Sequence, residues 1–381
     1  MIRYLKREEK GRCIDLWREA FPEDSEHFLE YYYQWKTADN RILVKEDEEG
    51  NILSMVHLNP YQVKVKGRTW DLDYIVGVAT GAGSRHQGHM RSLLERTLLD
   101  MHSAGTPFCY LMPAAPSIYL PFGFRFVFDQ PLWKMKENLP GDIQREAAEV
   151  RDGLWLWNKS VEQGAGGNRS ENLASWMNQW LEERFQVYAV RDRPYLERLM
   201  AELASESGEL YGWYDGRGKL KGIQAFWGIG KREQRFLYSM EPEWVELAGE
   251  GEGRGKSFSP AMMARITNAA GMMEVIRLRE EAPCDKMEVL IRIRDELIPG
   301  NQGLWRWEIS RDGSRLKPEP VGISGDCLFS TEVLDIDIAS LTSWLFGYRT
   351  WERLSEETGS RMPWWCRLAE PLQGIFLDEI V

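Results

Sequence analysis

The chain has 381 residues, which exceeds one ordinary domain and predicts two or three. Its formal net charge of -11 argues against general nucleic-acid binding, which needs a basic surface, and favours cationic partners. Because the N-terminus lacks an apolar core of signal-peptide length and no run of about 18 apolar residues occurs, we expect a soluble cytoplasmic protein without a membrane partner.

Residues 1–134 carry the pattern of one α/β unit. A strand is predicted at residues 2–4, and amphipathic spacing predicts a helix near residues 7–20. Asp24 and Ser25 are typical capping residues for a second helix. Four strands are then predicted at residues 41–45, 52–58, 61–66 and 70–79, and a buried strand at residues 108–112.

The turn between Ala79 and the helical pattern starting at Met90 is the most informative segment. It contains three glycines and a basic pair: Gly81, Gly83, Gly88, Arg85 and His86. Such a turn directs backbone N–H groups to one point at a helix N-terminus, where negative charge is favoured. The absence of a side chain at Gly88 lets a ligand approach the main chain. The segment therefore indicates a phosphate or pyrophosphate site, although the same composition also fits a tight connection without a ligand.

Two nucleotide-binding fingerprints do not match this turn. No Lys-Ser or Lys-Thr pair follows the glycines, as a P-loop requires, and the Gly-x-Gly-x-x-Gly spacing of dinucleotide sites is absent. The pattern Val78-x-Thr80 followed by Arg85-x-x-Gly88-x-Met90 instead resembles motif A of the GNAT acetyltransferases. Met90 departs from the small residue usual at that position.

A second segment narrows the resemblance. The pattern Tyr119-x-x-Phe122-Gly123-Phe124 is similar to that of the Eis (enhanced intracellular survival) branch of GNAT enzymes. The resemblance implies acetyl-CoA as co-substrate and direct N-acetyl transfer in a ternary complex. The acceptor it implies is a primary amine of a polycationic small molecule, aminoglycoside-like or polyamine-like, or of a lysine. It also implies a homo-oligomer, specifically a hexamer.

The resemblance assigns roles to individual residues. It implies that Tyr119 protonates the coenzyme A sulfur and that the carboxylate of Val381, at the end of an apolar tail, is the base. Asp378 and Glu379 would be substrate contacts. Main-chain groups of residues 78–80 would hold the pantetheine arm and thioester, and the turn would hold the pyrophosphate. The predicted cofactor-binding residues are Val78, Ala79, Thr80, Arg85, His86, Gln87, Gly88, His89 and Met90.

Residues 135–257 are interpreted as a second, degenerate copy of the same fold that forms a wall of the substrate cleft. Their pattern predicts a helix from residue 191 and a hairpin of strands at residues 208–214 and 220–227. The glycine-dense stretch 249–255 is a predicted linker. It does not form a P-loop with Lys256, because Glu250 stands where the leading glycine of that motif would be.

Residues 258–381 are predicted to form the third unit. The pattern places its start at residues 261–266, strands at 289–295, 304–309 and 331–334, and helices at 336–346 and 348–354. It resembles the sterol-carrier-protein-like domain that closes Eis-type chains. The predicted fold class is therefore α/β (α+β), with tandem GNAT folds of mixed sheet and flanking helices followed by a sterol-carrier-protein-like domain.

Other functional classes have weaker support. The five histidines lie in the first third without ligand spacing, and the five cysteines contain no Cys-x-x-Cys pair, so we expect no metal. Ser84 lacks the glycine pattern of a nucleophile elbow. The remaining alternative is a non-catalytic binding or scaffold protein that retains the Eis-like shell and carries an apolar ligand in its C-terminal domain.

Overall fold

The structure is a computed structural model, and it describes residues 1–151, 154–157, 169–228, 232–248, 258–319, 329–330, 332–359 and 362–379. Among these residues, no helix is both long enough and apolar enough to cross a membrane.

The first unit is a sheet with helices on its two faces. A 3-10 helix, Arg7–Cys13, precedes the first α-helix, and Ser25 caps the second as predicted, because its Oγ accepts from the N–H of Phe28 at 3.0 Å. The helices are α1 (Ile14–Ala20), α2 (Glu26–Trp35), α3 (His89–Ser103) and α4 (Pro116–Tyr119). The strands are β1 (Ile2–Tyr4), β2 (Arg41–Glu46), β3 (Ile52–Val65), β4 (Arg68–Thr80), β5 (Phe108–Leu111) and β6 (Arg125–Pro131).

The second unit is built around an antiparallel sheet and two helices. Its strands are β7 (Trp133–Met135), β8 (Gln144–Arg151), β9 (Leu154–Trp157), β10 (Val187–Ala189), β11 (Glu209–Tyr214), β12 (Leu220–Trp227), β13 (Glu233–Ser239) and β14 (Val245–Leu247). Its helices are α5 (Arg169–Glu182) and α6 (Arg193–Ser205). The sheet has the order β13-β12-β11-β8-β9, which contains the predicted hairpin of β11 and β12.

The third unit contains a smaller sheet packed against helices. Its strands are β15 (Phe258–Ile266), β16 (Arg277–Leu278), β17 (Lys286–Arg294), β18 (Gly303–Ser310), β19 (Ser314–Pro318), β20 (Val333–Asp337), β21 (Ala369–Glu370) and β22 (Ile375–Phe376). Its helices are α7 (Ala269–Met273), α8 (Ile338–Leu345) and α9 (Trp351–Thr358). The interior is filled by Trp307, Trp344 and Trp365, each at most 1% exposed.

The largest sheet draws strands from all three units. Its order is β1-β2-β3-β4-β5-β15-β6, and the pair β4 and β5 is parallel while the other neighbours on this path are antiparallel. The strand β15, predicted to start the third unit, therefore lies inside the sheet of the first. β10 extends the same sheet beyond β3, and β22 pairs with β10. The mixed α/β architecture agrees with the prediction, but sheet pairing crosses the predicted unit boundaries.

One predicted pair of strands is a single element. The separate strands at residues 52–58 and 61–66 are replaced by the continuous strand β3. Pro60 does not end β3, because it lies in the gap between two pairing partners on the same side. Pairing with β2 stops at Leu58, and pairing with β10 begins at Val63. Proline is tolerated there because, among the strands that the structure describes, β4 alone pairs with β3 at Pro60.

Candidate active site

The parallel strands β4 and β5 of the large sheet separate at their carboxyl ends. β4 and β5 are paired at Tyr74 and Tyr110, and no further pair between them occurs in the described chain. β4 continues to Thr80, bonded to β3 on its other side. The edge of residues 76–80 that faces β5 thus has main-chain groups without a strand partner. In α/β sheets, ligands bind outside the carboxyl ends of parallel strands at such an opening.

A β-bulge shapes this free edge. His57 pairs with Val76 and Met55 with Ala79, so β4 contains one residue more than β3 between these pairs. Gly77 has a φ of +56°, and a Cβ there would lie 2.5 Å from Cζ3 of Trp17. Only glycine fits this position without displacing the tryptophan.

The turn after β4 leads to an uncapped helix. Gly88 is the N-cap of α3 with a φ of +77°, and no side chain of the described residues caps the helix. His86 also has positive φ, +64°. A Cβ built on Gly88 would meet no described atom within 4 Å. The first N–H groups of the 15-residue helix therefore face open space, where the helix dipole favours an anion.

Contacts within the turn fix its first half. The N–H of Ala82 donates to the Glu19 carboxylate at 2.5 Å, and Nε of Arg85 donates to the carbonyl of Thr80 at 3.3 Å. The side chains of Arg85, His86 and Gln87 are exposed. Glu19 was not predicted as a site residue, because it lies on α1 and no local sequence pattern connects it to the turn.

Tyr119 is the last residue of α4 and packs against the same apolar cluster as Val78 of β4 and Met90 of α3. Its ring packs edge-on against Phe124, with centroids 5.9 Å apart. Burial raises the pKa of Tyr119 to about 12. Within the described residues its hydroxyl has no hydrogen-bond partner, so the phenol carries a proton that is free to be donated.

The structure brings several predicted site residues to one apolar cluster. Val78, Met90 and Tyr119 all pack against the cluster formed by the following buried residues: Leu43, Val56, Leu58, Ile75, Leu93, Leu94, Leu98, Met101, Cys109, Leu111, Phe122, Phe124, Met263 and Ile298. Met90, larger than the residue usual in the motif, is accommodated because its side chain lies on this cluster. Ala79 and Thr80 point to β3, where Ser54 Oγ contacts the Ala79 carbonyl at 2.7 Å and the Thr80 hydroxyl at 2.8 Å.

The predicted base, Val381, lies outside the described residues. Asp378 and Glu379, predicted as substrate contacts, are 3% and 1% exposed and are both bound by Arg191. Their carboxylates therefore hold the chain in place. The role of Arg191 was not predicted, because it begins the segment Arg191-Asp192-Arg193-Pro194, which is typical of an exposed helix start.

The histidines are distributed singly. His57 is fully buried, its Nδ1 lies 3.2 Å from the hydroxyl of Tyr32, and burial lowers its pKa to about 3. His86 and His89 lie in the turn and at the first position of α3. In the part of the chain that the structure describes, no group of three or more His, Cys, Asp or Glu residues could hold a metal ion.

Two parts of the chain match family models. Residues 1–127 match the acetyltransferase (GNAT) domain, and residues 273–359 match the sterol carrier protein domain. No match was found among curated proteins. The predicted resemblance to GNAT acetyltransferases and to a sterol-carrier-protein domain is confirmed for these segments.

Solved structures share the fold of the whole chain. A conserved protein of unknown function from Enterococcus faecalis V583, described as a probable N-acyltransferase, has a TM-score of 0.70 at 17% identity, with 99% of both chains covered. A GCN5-related N-acetyltransferase from Kribbella flavida has a TM-score of 0.68 at 15% identity, covering 100% of this chain and 98% of that one. Eis1 from Mycobacterium abscessus has a TM-score of 0.66 at 15% identity, covering 100% of this chain and 99% of that one.

Proposed function

We propose that this chain, whose first 127 residues are a GNAT acetyltransferase domain, transfers the acetyl group of acetyl-CoA to a primary amine. The proposed acceptor is a polycationic small molecule of aminoglycoside or polyamine type, or a lysine side chain. One observation carries the proposal: the free edge of β4 leads directly into the uncapped N-terminus of α3, and Tyr119 packs on the same apolar cluster as Val78 and Met90 from these two elements.

The residues present fit a coenzyme A thioester. The uncapped helix start and the open space at Gly88 suit a diphosphate, with Arg85 and His86 adding positive charge. Main-chain groups of residues 78–80 suit the pantetheine arm and the thioester oxygen. Residues 85–90 are thus proposed to bind the pyrophosphate.

The proposed reaction is direct transfer within a ternary complex. Acetyl-CoA supplies an activated acetyl group; the amine nitrogen forms a bond to its carbonyl carbon as the bond to sulfur breaks. Tyr119 supplies a proton to the departing sulfur, a role for which a phenol protonated at neutral pH is suited. Holding both substrates at the gap supplies much of the acceleration. The carboxylate of Val381 stays our hypothesis for the base that takes the proton from the amine.

Negative charge on α1 and at the start of α2 supports a cationic acceptor. Glu19 contacts the turn through Ala82. Glu206 accepts from Ser25 Oγ at 2.6 Å, next to Asp24. Burial raises the pKa of Asp24, the hydrogen bond that Nε1 of Trp17 donates to its carboxylate at 2.7 Å lowers it, and the charges of Glu23 and Glu206 raise it. A polyamine would relieve their mutual repulsion.

Turnover of acetyl-CoA with a panel of polyamines and aminoglycosides tests the proposal. We expect Tyr119→Phe to lower kcat by about 10²-fold or more, the usual contribution of general acid catalysis. Tyr214→Phe is the matched control, because Tyr214 is also buried, its pKa is also raised to about 12, and its hydroxyl has no described partner. Absence of coenzyme A binding by calorimetry would refute the enzyme function and favour the binding or scaffold alternative.

Cytoplasmic location and assembly into a hexamer are also part of the proposal. The location is inferred from the sequence, and the hexamer from its resemblance to Eis-type enzymes. Analytical ultracentrifugation of the full chain gives the oligomeric state, and a monomer would contradict the assembly.

A further inference from the structure

The segment of residues 375–379, called the tail below, is directed along the catalytic sheet. Its strand β22 is parallel to β10, β10 is antiparallel to β3, and β3 is antiparallel to β4. The tail therefore runs in the same direction as β4, toward the carboxyl end where β4 and β5 separate. Continuing the register of Phe376 and Tyr188 by three residues places Glu379 beside Arg191.

Three side chains of the second unit hold the tail, and we call them the tail clamp: Arg191, Arg235 and Tyr238. Nη1 of Arg191 donates to Glu379 at 2.7 Å, and Nη2 donates to Asp378. Nη1 of Arg235 donates to the carbonyl of Asp378 at 3.0 Å, and the hydroxyl of Tyr238 donates to the second oxygen of the Asp378 carboxylate.

The second unit is locally shaped to present this clamp. In the pairing of β12 with β13, Phe236 opposes Ala225 and Gln234 opposes Phe226, which leaves Arg235 as the extra residue of a β-bulge. A bulge of this kind re-aims a side chain, and it places Arg235 toward the tail together with Tyr238.

The other two members of the clamp are fixed by their neighbours. The backbone of Arg191 both donates to and accepts from the side chain of Asn178, at 3.0 and 2.7 Å. The ring of Tyr238 is stacked between Trp180 and Phe236, with centroids 4.4 and 4.8 Å away.

The clamp is more than a surface contact. Arg191, Arg235, Asp378 and Glu379 are each at most 3% exposed, and buried ion pairs are weak contributors to stability relative to well-packed apolar groups. They do, however, fix geometry, since a charge left without its partner in this interior is costly. Such an arrangement is suited to holding one chain segment in one position.

We propose that Arg191, Arg235 and Tyr238 are positioning residues for catalysis, which hold the tail so that it approaches the opening between β4 and β5. This inference rests on the proposed acetyltransferase function. It gives the second unit, which lacks an assigned chemical role, a direct effect on the rate. The clamp acts on the tail and contacts neither the turn nor Tyr119, so kcat should depend on it more than the KM for acetyl-CoA.

The test compares Arg191→Gln and Tyr238→Phe with the control Arg198→Gln in the full chain. Tyr238→Phe keeps the stacked ring and removes one hydroxyl, so it retains the fold if Arg191→Gln does not. Arg198 lies on α6 and pairs with Asp39 at 2.7 Å, and no described hydrogen bond joins it to the tail. Three quantities are measured: kcat, the KM for acetyl-CoA, and the hydrogen–deuterium exchange of the amides of residues 375–379.

We expect the clamp variants to accelerate exchange in the tail by about tenfold or more. We expect kcat to fall by up to about 10²-fold, because small misplacements of a catalytic arrangement have effects of that size. The KM for acetyl-CoA should change by less than about twofold. Arg198→Gln should change none of the three.

Faster exchange with unchanged kcat would reduce the clamp to a structural role, and unchanged exchange would overturn the clamp itself. A wild-type protein without turnover of any amine would refute the proposed function, while the exchange measurement would still decide whether these residues hold the tail.

Discussion

Gly88 is the residue at which backbone conformation and ligand binding are most closely linked. Its φ of +77° costs an alanine about 1–2 kcal/mol of stability. Since a Cβ there meets no described atom within 4 Å, any additional effect must come from the bound ligand. We expect Gly88→Ala to raise the KM for acetyl-CoA by about tenfold or more, because lost hydrogen bonds to a charged group are worth about 1.5–3 kcal/mol.

The control for this prediction is Gly50→Ala. Gly50 has a φ of +88°, also with no described atom within 4 Å of an added Cβ, and it lies in the turn between β2 and β3. Both variants should lose similar stability in denaturant unfolding. An equal KM for acetyl-CoA in the two variants would show that the turn does not bind the diphosphate.

His57 makes stability depend on acidity. Burial lowers its pKa from 6.5 to about 3 in the folded protein, so between these values the unfolded chain binds more protons than the folded one. Stability therefore falls as the pH falls through this window. Between pH 7 and pH 5, His57 should contribute about 2 kcal/mol to the loss.

The variant His57→Gln has no titrating ring and should lose correspondingly less stability over the same pH interval. Urea unfolding at pH 7, 6 and 5 gives the slope of the free energy of unfolding against pH for each protein. This slope does not depend on any packing that the variant loses at pH 7. Equal slopes for wild type and variant would mean that the pKa of His57 is not lowered in the folded protein.

At the scale of the element, the bulge of β4 depends on Trp17 of α1. We expect Gly77→Ala to destabilise the protein by about 2–5 kcal/mol, from left-handed backbone and from overpacking against a ring 2.5 Å from the new Cβ. The double variant Gly77→Ala/Trp17→Phe removes the outer ring atoms and should recover part of that loss. A double-mutant cycle by denaturant unfolding measures the coupling. Additive effects would show that α1 does not constrain the bulge.

Elements that are determined by a few neighbouring residues were predicted from the sequence, and elements that depend on residues far along the chain were not. The cap of α2 at Ser25, the hairpin of β11 and β12 and the turn at residues 81–88 follow from a few neighbouring residues, and the structure has them where the sequence predicted. The bulge at Gly77 was not predicted, because the residue that requires glycine there is Trp17, 60 positions earlier in the chain. The continuity of β3 through Pro60 likewise depends on where two other strands stop pairing.

At the scale of the whole molecule, the residues of the proposed site near the turn could be selected from the sequence, and the residues around the tail could not. The motif residues 78–90 are contiguous, so their spacing is visible in the chain. The tail clamp joins residues separated by 188, 143 and 140 positions. Nothing local to Arg191 or Arg235 distinguishes a buried arginine from an exposed one, so their role follows from sheet pairing and a bulge.

The insertion of β15 makes the first unit dependent on the third. β15 pairs with β5 through residues 263–266 and with β6 through residues 258–264, so it fills the space between the two strands. A truncated chain of residues 1–134 would leave β5 and β6 without that partner, and β10 would be missing beside β3. It would also expose apolar side chains that the core cluster buries across all three units. Exposed strand edges and apolar surface promote aggregation.

We therefore expect residues 1–134 to be unfolded or aggregated when produced alone, although the family match covers residues 1–127. Joining residues 258–266 to that truncated chain through a flexible linker should restore part of the structure, because it returns the missing strand to the sheet. Circular dichroism and size-exclusion chromatography of the two truncated chains measure the effect. A stable, monomeric fragment 1–134 would show that β15 is dispensable and that the acetyltransferase domain folds independently of the rest of the chain.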